Sequence, residues 1–259
     1  MNTLQALIFG LVEGITEFLP ISSTGHLMLT AKLLGLAQTE FLKTFEISIQ
    51  LGAILSVVVL YWRKLLINWE VMKRIVVAAI PTGIIGLALY KIVKEYFLES
   101  TTIVLWSLLL GGILLIAFEK WHQKKPEAAE QKLEEIPYKN YFIVGVCQAF
   151  GIIPGVSRSA ATIIGGLALG FSRKNIVEFS FLLAVPTMIA ATGLDLYKNA
   201  GAFNGDQFNA LAIGFIVSFI TAILAIKFLM GYIQKRSFIA FGIYRIAIAI
   251  LFFSIFWLA

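Results

Sequence analysis

Charge is what this sequence has least of. Of its 259 residues only 14% are charged, against 59% hydrophobic, and mean hydropathy is +0.88. A soluble domain carries roughly a quarter charged residues, so this chain is not built to be wetted on all sides. Cysteine is nearly absent too. A single one, Cys147, excludes an intrachain disulfide and any multi-cysteine metal site. No basic residue precedes the first apolar run and no small-residue cleavage site follows it, so no removable signal peptide is expected. The net charge of +6 does not point to nucleic acid. In so apolar a chain, the placement of Lys and Arg between spans is what matters, because it sets orientation.

What is present is apolar sequence in long runs. Stretches of the roughly 17–25 residues needed to cross a bilayer recur near 41–62, 73–94, 101–119, 176–197, 208–230 and 238–258. The segment 120–139, KWHQKKPEAAEQKLEEIPYK, holds nine of the 36 charged residues and two of the six prolines. It reads as an extramembrane linker between two halves.

The halves echo each other. EGITEFLPISSTGH, starting at Glu13, faces CQAFGIIPGVSRSA, which places Pro20 opposite Pro154 and Ser23 opposite Ser157. FEISIQLGAI at 45–54 faces VEFSFLLAVP at 177–186, with Glu46 opposite Glu178. Each half opens with a short apolar helix, a proline, a Ser/Gly-rich turn and a second short helix, near 23–37 and 158–170. Neither piece is long enough to cross the hydrocarbon, so a re-entrant hairpin is expected, lining a wet cavity or buried in protein.

Basic clusters at Arg63, Lys64, Lys73 and Arg74, at Arg173 and Lys174, and at Lys235 and Arg236 agree on one topology with both termini outside. Three spans per half then invert the second half relative to the first, and the hairpins meet near the midplane. The expected fold is an all-α polytopic membrane protein with an inverted-topology repeat, about six transmembrane helices and two re-entrant helical hairpins. The first repeat is 1–119 with hairpin 1–37, the linker is 120–139, and the second repeat is 140–259 with hairpin 140–170.

The polar residues of the hairpins carry the chemistry. Glu13 and Glu17, spaced i, i+4, share one helix face. Carboxylates inside a membrane segment are costly and tend to face a cavity, a partner or a substrate. These two either share a proton, hold a cation, or pair with a basic group. After Pro20, the hydroxyls of Ser22, Ser23 and Thr24 begin a new helix, whose free N–H groups suit an anion. His26, one of two histidines, lies on the same turn and is equipped to act as base or nucleophile.

In the second hairpin, Arg158 lies between Ser157 and Ser159, with Thr162 one turn on. Its planar fork of donors suits phosphate, and pairing with Glu13 or Glu17 is compatible with that. Glu46 and Glu178 are given structural roles. Asp195 and Asp206 sit at a span end and in a loop where solvation accounts for them, as it does for His122 in the linker. Phosphoryl chemistry on an amphiphile whose tail stays in lipid is the reading these residues support. Positioning and charge stabilisation would supply most of the catalysis.

EGITEFLPISSTGH, PGVSRSAAT, KTFEISIQLGAI and EFSFLLAVP resemble the undecaprenyl pyrophosphate phosphatase family, bacterial membrane enzymes associated with bacitracin resistance. The likeness runs over essentially the whole chain. It implies hydrolysis of undecaprenyl pyrophosphate to undecaprenyl phosphate, recycling the carrier for peptidoglycan synthesis in the bacterial inner membrane, at a site open to the outer face. It places the glutamate pair on Glu13 and Glu17, the motif serine and histidine on Ser23 and His26, and the phosphate-binding arginine on Arg158. It also implies a divalent cation, Mg2+ or Ca2+, at Glu13 and Glu17. Ala160 departs from the family's SRSGAT pattern, which should stiffen that helix start. The partners expected are a polyprenyl pyrophosphate lipid and a second copy of the chain, with no nucleic acid. Broken helices in an inverted repeat are also a transporter architecture, which is the main rival.

Overall fold

A computed structural model describes residues 1–37, 39–97, 100–124, 131–198 and 208–258. All regular structure among them is helical: α1 (Thr3–Thr16), α2 (Ser23–Leu33), α3 (Glu40–Leu66), α4 (Trp69–Ile92), α5 (Thr101–His122), α6 (Tyr138–Ala149), α7 (Arg158–Ala168), α8 (Arg173–Lys198), α9 (Phe208–Tyr232) and α10 (Ile239–Leu258). Apolar runs that must satisfy every backbone group internally form helices. Where the ends need help, side chains provide it. Asn2 and Gln5 form a capping box at α1, while Thr39 and Ser100 cap α3 and α5.

Six helices among the described residues are long and apolar enough to span a bilayer: Phe41–Leu66, Trp69–Leu89, Thr101–His122, Arg173–Gly193, Phe208–Tyr232 and Ile239–Phe256. These are the expected spans with shifted ends, and the chain is a polytopic helical membrane protein. The other four helices have 14, 11, 12 and 11 residues. At about 1.5 Å per residue, none reaches across a core of about 30 Å.

The two halves match in local geometry, one residue out of the register that the prolines indicate. Ser22 and Ser157 both adopt φ above zero, 72° and 77°, and each caps the helix that follows. Gly35 and Gly170, just past the ends of α2 and α7, also have positive φ, 62° and 85°. Each pair is 135 residues apart, so it is Ser22, not Ser23, that shares the backbone geometry of Ser157. Ser23 corresponds to Arg158, and Glu13 to Gln148. A proline can sit at more than one place in a turn. The left-handed residue that redirects the chain cannot move.

Close approaches follow the same register. On α1, a methyl at Gly10 would lie 2.7 Å from the Gly214 carbonyl of α9. On α6, a methyl at Gly145 would lie 2.0 Å from the Ala78 carbonyl of α4. Helix α3 packs on α8 and α9, and α5 on α10. The linker's described end is docked, since Arg74 donates to the Glu134 and Ile136 carbonyls and pairs with Glu70. Residues 125–130, Asp206 and the side chain of Asp195 lie outside the described residues.

Candidate active site

The site forms where the end of α1 and the starts of α2 and α7 converge. Glu17 is the C-cap of α1, one helical turn from Glu13, and the chain then turns through Pro20 to Ser22. Ser22 Oγ accepts from the Gly25 amide, which starts α2 with Ser23 as its first residue. The second turn delivers Arg158 to the same position of α7, capped by Ser157 through the Ala160 amide.

Glu17 joins the two. Its Oε2 accepts a short hydrogen bond from Ser23 Oγ, and its Oε1 accepts from Arg158 Nη2 at 3.0 Å. Arg158 Nη1 donates to the Ser180 carbonyl at 2.8 Å, while its buried Nε has no acceptor among the described residues. The expected pairing of Arg158 with a glutamate of α1 is therefore present, and the partner is Glu17. Glu13 is fully buried, and neither of its oxygens has a hydrogen-bond donor among the described residues. Glu17, Glu46 and Arg158 are the charged groups that act on it.

A cavity of about 240 Å³ opens over this junction. Glu17, Ser22, Ser23, Thr24, Ser157 and Arg158 line it, as do Pro154 and Met188. Ser159, Thr162, Glu13 and His26 do not. Ser159 Oγ donates to the Phe18 carbonyl at 2.9 Å and ties the two segments together. Thr162 bonds the Arg158 carbonyl and Gln148. His26 Nδ1 lies 2.7 Å from the Ser22 carbonyl, which can only accept. The ring therefore donates from Nδ1, leaving Nε2 to accept from the Tyr244 hydroxyl at 3.0 Å. The two rings stack at 5.6 Å.

Glu46 and Glu178 separate. Glu178 pairs with Lys64, the structural role expected of it, whereas Glu46 keeps one buried oxygen without a donor. Gln50, Thr82, Gln148 and Thr187 also line the cavity, and sequence reasoning passed over all four, together with Tyr244 and Arg245. Neutral amides and hydroxyls carry little weight inside apolar runs. Arg245 did carry a signal, as the one charged residue within IAFGIYRIAIAI.

Two carboxylates one helical turn apart offer hard oxygen ligands, and the orphaned Glu13 oxygens would fit a hard divalent cation. No group of three or more His, Cys, Asp or Glu stands ready to hold a metal among the described residues.

Comparison with known proteins gives one family. The model for bacitracin resistance protein BacA matches residues 6–251. The chain is similar to the undecaprenyl-diphosphatase of Aquifex aeolicus, 50% identical over 256 residues and 99% of each chain. It is 53% identical to that of Sulfurihydrogenibium sp. over 98% of this chain and 99% of the relative. It is 49% identical to that of Wolinella succinogenes over 97% of each.

Proposed function

The chain belongs to the BacA bacitracin resistance protein family, and from that premise we propose that it hydrolyses undecaprenyl diphosphate to undecaprenyl phosphate and inorganic phosphate. The protein would act in the bacterial inner membrane, recycle the lipid carrier for cell-wall synthesis and so confer bacitracin resistance. The observation that carries the reading is Glu17 bridging Ser23 and Arg158 on a polar cavity at the end of short helices.

In this reading Ser23 Oγ attacks the terminal phosphorus, and its proton passes to Glu17 Oε2, with which it already shares a hydrogen bond. The bond from that phosphorus to the bridging oxygen breaks, and undecaprenyl phosphate leaves. Glu17 passes the serine's proton to the departing undecaprenyl phosphate. Water then attacks the phosphoserine, and the freed Glu17 carboxylate takes the water's proton. It returns that proton to the Ser23 oxygen as the phosphorus–serine bond breaks and inorganic phosphate leaves. Arg158 and the amides at the starts of α2 and α7 hold the phosphate oxygens. His26 is the weaker nucleophile, because Ser22 and Tyr244 occupy both ring nitrogens. It braces the first turn. Mg2+ or Ca2+ held by Glu13 and Glu17 would neutralise diphosphate charge. Ser22, Thr24 and Ser157 face substrate, while Ser159 and Thr162 brace the site.

The matched turns and glycines of the two halves support an inverted repeat with two re-entrant hairpins. The basic clusters support an outward-facing site. A cysteine at Lys132, in a Cys147→Ala background, should be shielded from impermeant thiol reagents in intact cells, and labelling there would reverse the topology. Activity is tested with purified protein in detergent. It should release phosphate from undecaprenyl diphosphate, and Glu17→Gln should keep under about a tenth of the rate, a barrier change above ~1.4 kcal/mol. A transporter would release none.

A further inference from the structure

We infer that Arg245 is a positioning residue that holds the two turns of the candidate site in register; this rests on the reading of that site given above. Arg245 lies on the second turn of α10 and is 1% exposed, among the largest fully buried side chains. A guanidinium carries five N–H donors and no acceptor. All five are used, and every acceptor is a backbone carbonyl. Nε donates to Leu108 at 3.4 Å and Nη2 to Ser107 at 3.0 Å, both on α5. Nη1 reaches Pro20 of the first turn at 3.3 Å and Val156 of the second at 2.9 Å. Nη2 also reaches Gly155 at 2.8 Å.

One planar group thus ties both turns to each other and to α5. Those turns place Ser23 and Arg158, which meet on Glu17. Arg245 touches neither the cavity nor Glu17, so its effect passes through the backbone it holds. Among the described residues it has no ion-pair partner, so its charge is not explained as the counter-ion of a carboxylate. Membrane-buried arginines are costly and are retained for a task.

The surroundings are shaped to receive it. A methyl at Gly111 would lie 2.0 Å from Arg245 Nη2 and 2.8 Å from Cζ, so only glycine leaves room for the group against α5. Gly112 and Gly242 let α5 and α10 approach closely, each within 2.8 Å of the other's carbonyl once a methyl is built. Gly155 itself has φ of 90°, and a methyl there would meet the Val104 carbonyl at 2.6 Å.

The test compares the parent with Arg245→Lys and Gly111→Ala in detergent, reading melting temperature, kcat per folded molecule and KM for undecaprenyl diphosphate. Lysine keeps the charge but offers three donors at one nitrogen, too few for three segments. Gly111→Ala keeps the arginine and displaces its flexible end. Both variants should fold and lose about a hundredfold in kcat, the cost of roughly an ångström of misplacement. KM should stay within about threefold, because the phosphate-binding groups are intact. Parental kcat in either folded variant overturns the inference, and so does loss of folding in both, which makes Arg245 a prop of the fold. Failure of the parent itself to release phosphate instead overturns the proposed activity.

Discussion

The first and second turns are built alike and present different side chains to the same cavity. Each has a serine with positive φ whose hydroxyl caps an eleven-residue helix, and each helix ends at a glycine with positive φ. The difference lies in the next residue, the first of the helix: Ser23 in one turn, Arg158 in the other. A helix N-terminus accepts either, because the caps already satisfy the backbone. Function can therefore diverge at that position without disturbing the fold. Glu17 has a counterpart only in sequence number, Ile152, so the one carboxylate of the pair serves both turns.

The largest expected effect comes from Arg158→Lys. If the arginine clamps diphosphate, an ammonium cannot reproduce its fork, and kcat/KM should fall at least about a hundredfold, ~2.7 kcal/mol, with the melting temperature unchanged. Near-normal turnover would reduce Arg158 to a neutraliser of Glu17 and make the two turns alike in having only structural work.

Ser159→Ala probes the bond between the two segments. Removing its hydroxyl leaves the Phe18 carbonyl without that donor, at a cost of about 1–3 kcal/mol in unfolding measurements. Unchanged thermal stability would mean that the segments are held together without it. The smallest effect should come from Ser157→Gly. Glycine accepts the positive φ and replaces a serine cap at a cost of only a few tenths of a kcal/mol. Ser157→Ala keeps the strained φ and loses the cap, so it should destabilise by about 1 kcal/mol more. Equal melting temperatures for the two variants would contradict the role assigned to the left-handed turn.

The spans and the polar turn at Glu13–His26 were legible in the sequence, because hydropathy and isolated charge are local signals. The register between halves was not. Pro20 and Pro154 align at a spacing of 134 residues, whereas Ser22 and Ser157 share their geometry at 135, through backbone angles that composition does not display. The paired glutamates Glu46 and Glu178 read as equivalent. Lys64 neutralises only one of them, and that depends on how α3 packs on α8. His26 was placed on the right turn, but its ring direction depends on Tyr244, 218 residues away. Arg245 stood alone in an apolar span and was passed over, since its five acceptors are backbone groups that no sequence motif marks.

The central claim is that Ser23 and Arg158, equivalent in position, act as one unit through Glu17. A double-mutant cycle of Ser23→Ala and Arg158→Lys, read as phosphate release from undecaprenyl diphosphate, tests it most directly. The account predicts strong non-additivity, with the double variant losing no more than about threefold beyond the worse single one. Losses that multiply, leaving a coupling below about 0.5 kcal/mol, would show two independent groups and contradict it.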